Sequence, residues 1–372
     1  MTDARSQLLG VLHEAASQDY TRIRQAEELL KQWENEPRFF ATLQDIFYDR
    51  TVNHDVRVLS GIYLKNGVGR FWRKTAKNPI IPEEKAAIRQ RLLQFLDEPS
   101  KKLTSQNAVI VARIARMDYP MEWPDLLPSL VQAIETPSGD ERLIHDRALE
   151  MLYEVLHELS TRFLSASRRQ FAEVAPRIFQ TVANVYVTYT ATTVSTLSTS
   201  ASSSLDQQAA AVLLTEMEIA SACVKCLRIL MVSGIRDVHK YDETKTFIQL
   251  SKQRLEEYMK VRLLQQQQQQ SSSSTSEKIQ EMVNTIIEDY GALYLGLQKA
   301  HPVSCALCPA WTDILGYYWQ AIVHEGTRLT DRYKTGQPVD IPVFEQFLLQ
   351  GMLLVKDTIK TAAQNLDGPG KI

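Results

Sequence analysis

The feature that most constrains the fold is a repeat of helix pairs, one pair for roughly every 40 residues over the first part of the chain. Apolar residues recur at helical spacing, and the breaks between stretches are short. Many stretches carry apolar residues on two sides: in one of them Val56, Leu59 and Tyr63 share one side while Val58 and Ile62 share another. A helix packed between neighbours in a stack needs two apolar faces, whereas a surface helix of a globule needs one. The sequence therefore predicts an all-α solenoid of the HEAT-repeat or armadillo class, a superhelix of antiparallel helix pairs with roughly seven repeats.

The chain contains only 14 glycines and 14 prolines, which also favours an all-helical fold. The predicted helices are 4–16, 20–34, 37–50, 54–74, 82–97, 101–117, a helix opened by Pro124, 140–160, 166–190, 206–234, 241–266, 276–299, 310–325 and 342–364. We expect 1–130 to form an N-terminal domain and 131–372 to add further HEAT repeats. The low-complexity segments 190–204 and 265–276 are predicted to be loops between helices.

Composition excludes several classes of protein. Lys and Arg number 42 against 44 Asp and Glu, for a net charge of −2, and no block is basic enough to coat nucleic acid. No apolar run is long enough to enter a membrane, and the N-terminus lacks the apolar core of a signal peptide. Four cysteines do not make a disulfide scaffold. We expect a soluble intracellular protein without direct nucleic-acid binding or membrane insertion.

Two CxxC pairs are the sharpest enzyme-like or metal-like signal. Cys223 and Cys226 lie inside an apolar helical run, and Cys305 and Cys308 follow far along the chain. Four thiolates could bind zinc, but the pairs lack a glycine knuckle and the spacing of a zinc ribbon, so small buried core residues are the favoured interpretation. The histidines form no cluster, and the phosphate-loop and nucleophile-elbow motifs do not occur. We expect no enzyme, no metal and no cofactor, although a Ser/His/Asp set assembled from distant repeats stays open.

The stretch 54–77 is the most unusual of the chain because basic and aromatic residues alternate in it: Lys65, Arg70, Arg73 and Lys74 with Tyr63, Phe71 and Trp72. Gly67 and Gly69 each cost a helix about 1 kcal/mol relative to alanine. That cost is tolerated where another backbone or a partner approaches closely. A partner-binding helix and a helix with a solvated basic end are both open interpretations. In 112–130, Pro120 and Pro124 are predicted to stop and restart helices while Trp123 fills the joint.

Three runs resemble the N-terminal domain of the importin-β (karyopherin-β) family: AEELLKQWENEP (26–37), VRVLSGIYLKNGVGRFW (56–72) and QNAVIVARIARMDYPMEWPDLLPSL (106–130). The family pattern has an AExxL helix, a VRxxA-type helix ending in LKNxxxxxW, and an IAxxD-P corner followed by WPeLlP. All three occur in order. Ser60 and Gly61 stand where alanines are more usual, and Tyr119 where tryptophan is common. The KQWE helix and the basic-aromatic ending of the second run are most similar to the importin-eleven branch.

The resemblance implies a nuclear transport receptor that binds protein cargo, the small GTPase Ran in its GTP state, and Phe-Gly nucleoporins. Such a protein shuttles between nucleus and cytoplasm through the nuclear pore. In the family the second helices of the first repeats contact Ran; Lys65 and Asn66 of the LKN motif are the expected contacts, supported by Arg70, Arg73 and Gln106. Among motif residues, Trp33, Trp72 and Trp123 are expected to pack the repeats, together with Asp118, Pro120 and Pro124.

Three alternatives stay open: a HEAT-repeat scaffold without Ran regulation, an export-type karyopherin, and a zinc-bound protein. Family members are typically more than twice as long as this chain. If this is an N-terminal portion, Ran binding is expected to survive within it, while much of the cargo surface lies in later repeats. Asn66 could instead brace its repeat, and Gln106 could be a buried structural residue.

Overall fold

The computed structural model describes residues 2–162, 165–200, 206–267, 274–336 and 345–366. Within these ranges the chain forms fifteen α-helices and no β-strand. The helices are α1 (Thr2–Ala15), α2 (Tyr20–Trp33), α3 (Phe39–Tyr48), α4 (His54–Phe71), α5 (Pro82–Leu92), α6 (Lys101–Asp118), α7 (Leu126–Glu135), α8 (Glu141–Ser160), α9 (Ser165–Ser200), α10 (Gln207–Ile229), α11 (Asp242–Gln267), α12 (Ser274–Ala300), α13 (Pro302–Ala306), α14 (Pro309–Lys334) and α15 (Glu345–Leu366).

The described helices form seven pairs, from α1/α2 through α11/α12 to α14/α15, with the short α13 between the last two. The first helix of a pair packs on the first helix of the next, as α3 does on α5 and α9 does on α11. The second helices pack likewise, α4 on α6 and α6 on α8, then α10 on α12 and α12 on α15. This double row is the architecture of a HEAT solenoid, and the predicted fold class is confirmed.

The chain divides into two compact units, Met1–Arg162 and Phe163–Ile372. The division lies one helix pair beyond residue 130, where the sequence motifs end, because α8 packs extensively on α6 and α7 on α8. The pair α7/α8 therefore belongs to the first unit by contact. A separate functional domain over 1–130 stays a prediction.

Local chemistry explains where the helices of the first unit begin. Asp19, Asn53 and Asp140 each accept a hydrogen bond from a backbone N–H in the first turn of α2, α4 and α8. At α3 the cap comes from another helix: the buried carboxylate of Glu84 in α5 accepts the N–H groups of Arg38 and Ala41 at 3.0 Å each. This contact fixes the stacking of the second pair on the third.

The prediction of a loop at 190–204 is wrong for residues 190–200, which continue α9 without a break. The helix is 36 residues long, and its threonine hydroxyls donate to carbonyls one turn back, as Thr190 does to Tyr186 at 2.7 Å. Thr193 and Leu197 are buried inside the second unit, so packing outweighs the low helix propensity of a Ser/Thr-rich run. Residues 201–205 lie outside the described part of the chain.

Smaller differences concern helix ends. α5 ends at Leu92 and not near residue 97, α14 continues to Lys334 beyond the predicted 325, and α10 closes in a π-helical turn, Leu230–Gly234. In the second low-complexity segment, 265–276, the helices α11 and α12 enter from both sides, and residues 268–273 lie outside the described ranges. Among the described helices none is long and apolar enough to cross a bilayer.

Candidate protein-binding face of the first repeats

The candidate site is built on α4, whose two unusual glycines have different causes. A Cβ built at Gly67 would lie 1.9 Å from a ring carbon of the buried Phe40 in α3. Gly67 is therefore required by packing inside the pair α3/α4 and not by an outside partner. At the exposed Gly69 the nearest atom, Nη1 of Arg113, would lie 3.6 Å from the added Cβ, which is an ordinary contact.

The exposed side of α4 carries most of the residues expected to contact a partner. Asn66 and Arg70 are both exposed and lie one helical turn apart. Lys65 is half-buried beside them, and Arg73 is exposed just beyond the last residue of α4. The structure thus places three of the five predicted contact residues on α4, with Arg73 just beyond its end.

Gln106, the fifth, lies on α6 and approaches α4 at Gly61. Its Oε1 would lie 2.6 Å from a Cβ added there, so the absent side chain of Gly61 makes room for the amide. This Oε1 is buried and has no hydrogen-bond partner among the described residues. A buried acceptor without a donor costs about 1–3 kcal/mol.

Arg113 is a residue of this region that sequence reasoning did not single out. Its Nη1 donates to the backbone carbonyl of Lys65 at 3.3 Å and so connects α6 to α4. Arg113 follows Gln106 by seven residues, a spacing that places both on the same side of a helix. This spacing is the sequence feature from which Arg113 could have been predicted to lie beside Gln106.

Arg70 is held by neighbours on its own surface. Its guanidinium pairs with the carboxylate of Glu34 at the end of α2 and lies 4.9 Å from the centroid of the Phe71 ring. Burial raises the pKa of the nearby half-buried Tyr63, and the carboxylates of Glu27 and Glu34 add to that effect. Glu27 within α2 and Glu34 at its end therefore place acidic groups on one flank of the basic residues of α4.

Three glutamates of α8 make the opposite flank acidic. Glu150 accepts a hydrogen bond from Ser105 of α6, and burial raises its pKa. Its Oε2 is buried without a hydrogen-bond partner in the described structure. Glu154, one turn further, also has its pKa raised by burial, and Glu158 pairs with Arg116 of α6 at 2.8 Å.

We call the solvent-facing sides of α4, α6 and α8 the second-helix face, in which Asn66 and Arg70 are exposed and the other members are half-buried. Its residues are Lys65, Asn66, Arg70, Gln106, Arg113, Glu150, Glu154 and Glu158. Charge along this face changes from basic on α4 to acidic on α8. Such a surface is suited to a protein partner.

Asp118, at the end of α6, is the centre of the corner motif seen in the sequence. Its Oδ2 accepts a hydrogen bond from Trp72 Nε1 at 3.0 Å and from Arg89 of α5 at 2.5 Å. Its backbone carbonyl accepts the N–H groups of Glu122 and Trp123 at 2.8 and 3.2 Å. One buried aspartate thus holds the end of α4, the end of α5 and the turn that leads into α7.

The remaining motif residues occupy different environments. Trp72 and Trp123 are buried, at 1% and 4% exposure, whereas Trp33 is half-buried beside the start of α3. The Tyr119–Pro120 peptide bond is cis. Pro124 is exposed and precedes α7, which begins two residues later than the sequence predicts.

The four cysteines are all buried and free. Cys223 and Cys226 lie within α10, and burial raises the pKa of both thiols. Burial also raises the pKa of Cys305 to about 12, and that of Cys308 to a smaller extent. In the described part of the chain no three His, Cys, Asp or Glu side chains come together as a metal site.

Comparison with known proteins identifies two domain models in the chain. The importin-beta N-terminal domain matches residues 26–98, and the Exportin 1-like protein model matches residues 100–229. The first match contains α4 with its LKN segment, and the second contains α6, α8 and the start of the second unit.

Relatives agree with these matches over nearly the whole chain. Importin-11 of Homo sapiens is 28% identical over 363 residues, which is 98% of this chain and 34% of the relative. Importin beta-like protein KAP120 of Saccharomyces cerevisiae is 28% identical over 95% of this chain and 32% of the relative. The chain therefore spans about a third of the length of these relatives.

Solved structures give the same picture of the fold. The structure of Lph2, described as a novel bidirectional nuclear transport receptor in S. cerevisiae, superposes with a TM-score of 0.71 at 25% identity, covering 90% of this chain and 30% of that one. The exportin Cse1 in its cargo-free, cytoplasmic state superposes with a TM-score of 0.66 at 14% identity, over 95% of this chain and 34% of that one.

Proposed function

Because the chain belongs to the importin-β (karyopherin-β) family and is most similar to its importin-eleven branch, we propose that it is a non-enzymatic nuclear transport receptor. In this proposal the N-terminal HEAT repeats bind Ran in its GTP state, and the protein carries protein cargo through the nuclear pore, shuttling between nucleus and cytoplasm. The observation that carries the proposal is the exposed LKN segment of α4, lying inside the match to the importin-beta N-terminal domain.

The residues of this chain that we propose contact Ran are Lys65, Asn66, Arg70, Arg73 and Gln106. The basic groups of α4 favour an acidic partner surface, since complementary charge steers association and fixes orientation. Gln106 lies beside these groups, half-buried where α6 approaches α4 at Gly61. Arg70 is already oriented by Glu34, so less side-chain freedom is lost when a partner binds it.

Discrimination between GTP and GDP follows from the partner's own chemistry. The switch segments of a GTPase are ordered by the γ-phosphate and released on hydrolysis. A receptor surface that contacts those segments binds the GTP form selectively. If cargo and Ran-GTP stabilise different states of the repeats, each weakens the other's binding by the same factor, which releases imported cargo in the nucleus.

The proposed direction is import. The relatives that span nearly the whole chain are named importins, whereas the match to the Exportin 1-like model keeps an export-type karyopherin as the second candidate. The two differ in one measurable sign. Ran-GTP weakens cargo binding to an importer and strengthens cargo binding to an exporter.

Phe-Gly nucleoporins are proposed to bind between first helices. A groove of about 330 Å³ lies between α9 and α11 in the second unit. Phe179 and Phe247 form its base, and Val187 is 46% exposed at its edge. An apolar groove of this size accepts one aromatic side chain from an extended peptide.

The deciding experiment measures binding of the full chain to Ran loaded with a non-hydrolysable GTP analogue, beside Ran-GDP, by isothermal titration calorimetry. We expect binding to the GTP form alone. A Lys65→Glu, Asn66→Ala double variant is expected to weaken that binding by at least about tenfold, because an acidic side chain then meets an acidic surface.

The matched control is Lys260→Glu, which makes the same charge change on the exposed side of α11 in the other compact unit. Its affinity for Ran-GTP should equal that of the unaltered chain. Equal or absent binding of the two nucleotide forms by folded protein would reject the receptor and leave a HEAT-repeat scaffold without Ran regulation.

A further inference from the structure

A cleft of about 810 Å³ opens at the C-terminal ends of α4 and α6, beside the start of α5. Its floor includes the buried Trp72 and Ile80. Ile81 and Met121 stand at its rim with 47% and 84% of their surfaces exposed. Cavities of roughly 300–1,000 Å³ hold ligands of several side chains, so the cleft is too large for a single small ion.

The cleft contains a buried lysine that, among the residues that the structure describes, contacts an aromatic ring but no anionic group. Lys85 of α5 is only 8% exposed, and its Nζ lies 5.7 Å from the centroid of the Trp72 ring. Within the described structure this ammonium makes no hydrogen bond or ion pair. Burial lowers the pKa of Lys85, and the carboxylate of Asp118 only partly opposes that effect.

The other charges of the cleft leave it basic. Arg89 pairs with Asp118 and Lys74 pairs with Glu122 at 2.9 Å, while Arg116 is engaged by Glu158 on α8. The two carboxylates of the lining, Asp118 and Glu122, are therefore already paired, as is Glu158 outside the cleft. Lys85 and the exposed Arg73 remain without an anionic partner.

We propose that this cleft binds a short acidic peptide segment of a partner protein, one that carries an apolar side chain next to its carboxylates. A carboxylate of the peptide pairs with Lys85, which restores the favourable environment that burial removes from the ammonium. The apolar side chain covers Ile81 and Met121, which are otherwise exposed. The charge of the lining selects an acidic segment, and its apolar rim selects a peptide over a free anion.

The proposal goes beyond nuclear transport by Ran and does not depend on it. The cleft and the second-helix face lie on different parts of α4 and α6, although Arg73 lines the cleft and is also a proposed Ran contact. Arg73 is therefore left out of the test. Lys85 and Met121 belong to the cleft and not to the proposed Ran contacts.

The test titrates the full chain into a fluorescein-labelled peptide, Glu-Glu-Asp-Phe-Leu-Asp-Glu-Glu, and follows fluorescence anisotropy. We expect saturable binding that weakens as salt is raised. Lys85→Met, which keeps the length and packing of the side chain, and Met121→Glu, on an exposed residue, should each weaken binding by at least about tenfold. Lys260→Glu should leave it unchanged.

Two further peptides identify what is recognised. Replacing Phe-Leu by Ser-Gly, or all acidic residues by glutamine, should each remove binding. Equal binding of the Ser-Gly peptide would overturn the proposal in favour of a simple anion site that inorganic phosphate also occupies. Equal binding of the glutamine peptide, or no binding of the original peptide at about 1 mM, overturns it as well.

Folding and Ran binding serve as separate readouts. Circular dichroism shows whether Lys85→Met and Met121→Glu keep the helical content of the unaltered chain. Ran-GTP affinity is expected to stay constant in both variants. Loss of peptide binding together with Ran binding would place Lys85 in a general structural role and reject the cleft as an independent site.

Discussion

At the scale of single residues, the most demanding position is Asp118, where one carboxylate holds groups from three helices. Trp72 Nε1 and the Arg89 guanidinium both donate to this carboxylate, and only 8% of the surface of Asp118 is exposed. Arg89 is itself largely buried, since only 16% of its side chain is exposed. A buried donor or cation that loses its acceptor costs much more than the net value of the bond.

We therefore expect Asp118→Ala to lower the free energy of unfolding by about 2–4 kcal/mol, because it leaves a buried guanidinium and an indole N–H unpaired. A urea titration followed by far-ultraviolet circular dichroism measures the change. Glu122→Ala is the control, as it removes the exposed ion pair to Lys74 in the same corner and should change the curve little. Similar curves for the two variants would contradict the assignment of Asp118 as the joint.

The glycines of α4 provide a pair of substitutions with opposite expected signs. Gly67→Ala places a methyl group 1.9 Å from a ring carbon of Phe40 and is expected to destabilise by about 1–3 kcal/mol. Gly69→Ala meets its nearest atom at 3.6 Å and is expected to stabilise by about 0.5–1 kcal/mol, because alanine is the better helix former. Thermal unfolding of the two variants, measured side by side, gives the sign of each change in stability. A shift of the midpoint temperature in the same direction for both would refute the packing argument.

At the scale of helices, the first unit was largely predictable and the second less so. Helical spacing and the breaks between apolar stretches are local signals, and they correctly predict all eight helices of the first unit to within a few residues, with α5 shorter than expected. The end of α9 was wrongly predicted as a loop because its Ser/Thr-rich sequence has low intrinsic helix propensity. Burial of Thr193 and Leu197 outweighs that low propensity.

The candidate site divides in the same way. Residues of α4 could be named from a motif within one helix, whereas Arg113 and Glu150 enter the site through packing between helices. The cleft around Lys85 was not foreseen, because it is assembled from the ends of α4 and α6 and the start of α5. No residue spacing along the sequence indicates that these helix ends lie next to one another.

Buried tyrosines that join helices of the second unit predict an alkaline limit to stability. Tyr258 of α11 bonds Thr193 of α9 through their hydroxyls at 2.6 Å, and burial raises the pKa of Tyr258 to about 12. In the unfolded chain the phenol ionises near pH 10. The stabilising contribution of the neutral phenol is thus complete below about pH 10 and is lost as pH rises toward 12.

We expect the free energy of unfolding to fall above pH 10 by about 1.4 kcal/mol per pH unit for each such tyrosine. Urea titrations at several pH values measure the slope, and phenolate absorbance reports the ionisation itself. Tyr258→Phe should reduce the slope. A variant with the slope of the unaltered chain would show that Tyr258 titrates normally.

At the scale of the whole molecule, the second-helix face lies entirely within the unit Met1–Arg162. We expect a chain of residues 1–162 to be helical by circular dichroism and to bind Ran-GTP with an affinity within about tenfold of the full chain, since the proposed contacts are all retained. The matching chain 163–372 should not bind. A folded 1–162 chain without affinity would move the Ran contacts into the later repeats.

The change of charge across the second-helix face, from basic α4 to acidic α8, gives the surface a direction. In the proposed complex we expect an acidic patch of the partner to lie over Lys65 and Arg70 and a basic patch over Glu154. Turned by half a revolution, the same partner brings like charges together at both ends. Electrostatic attraction and repulsion along the face would therefore orient an approaching protein before any close contact between the two surfaces has formed.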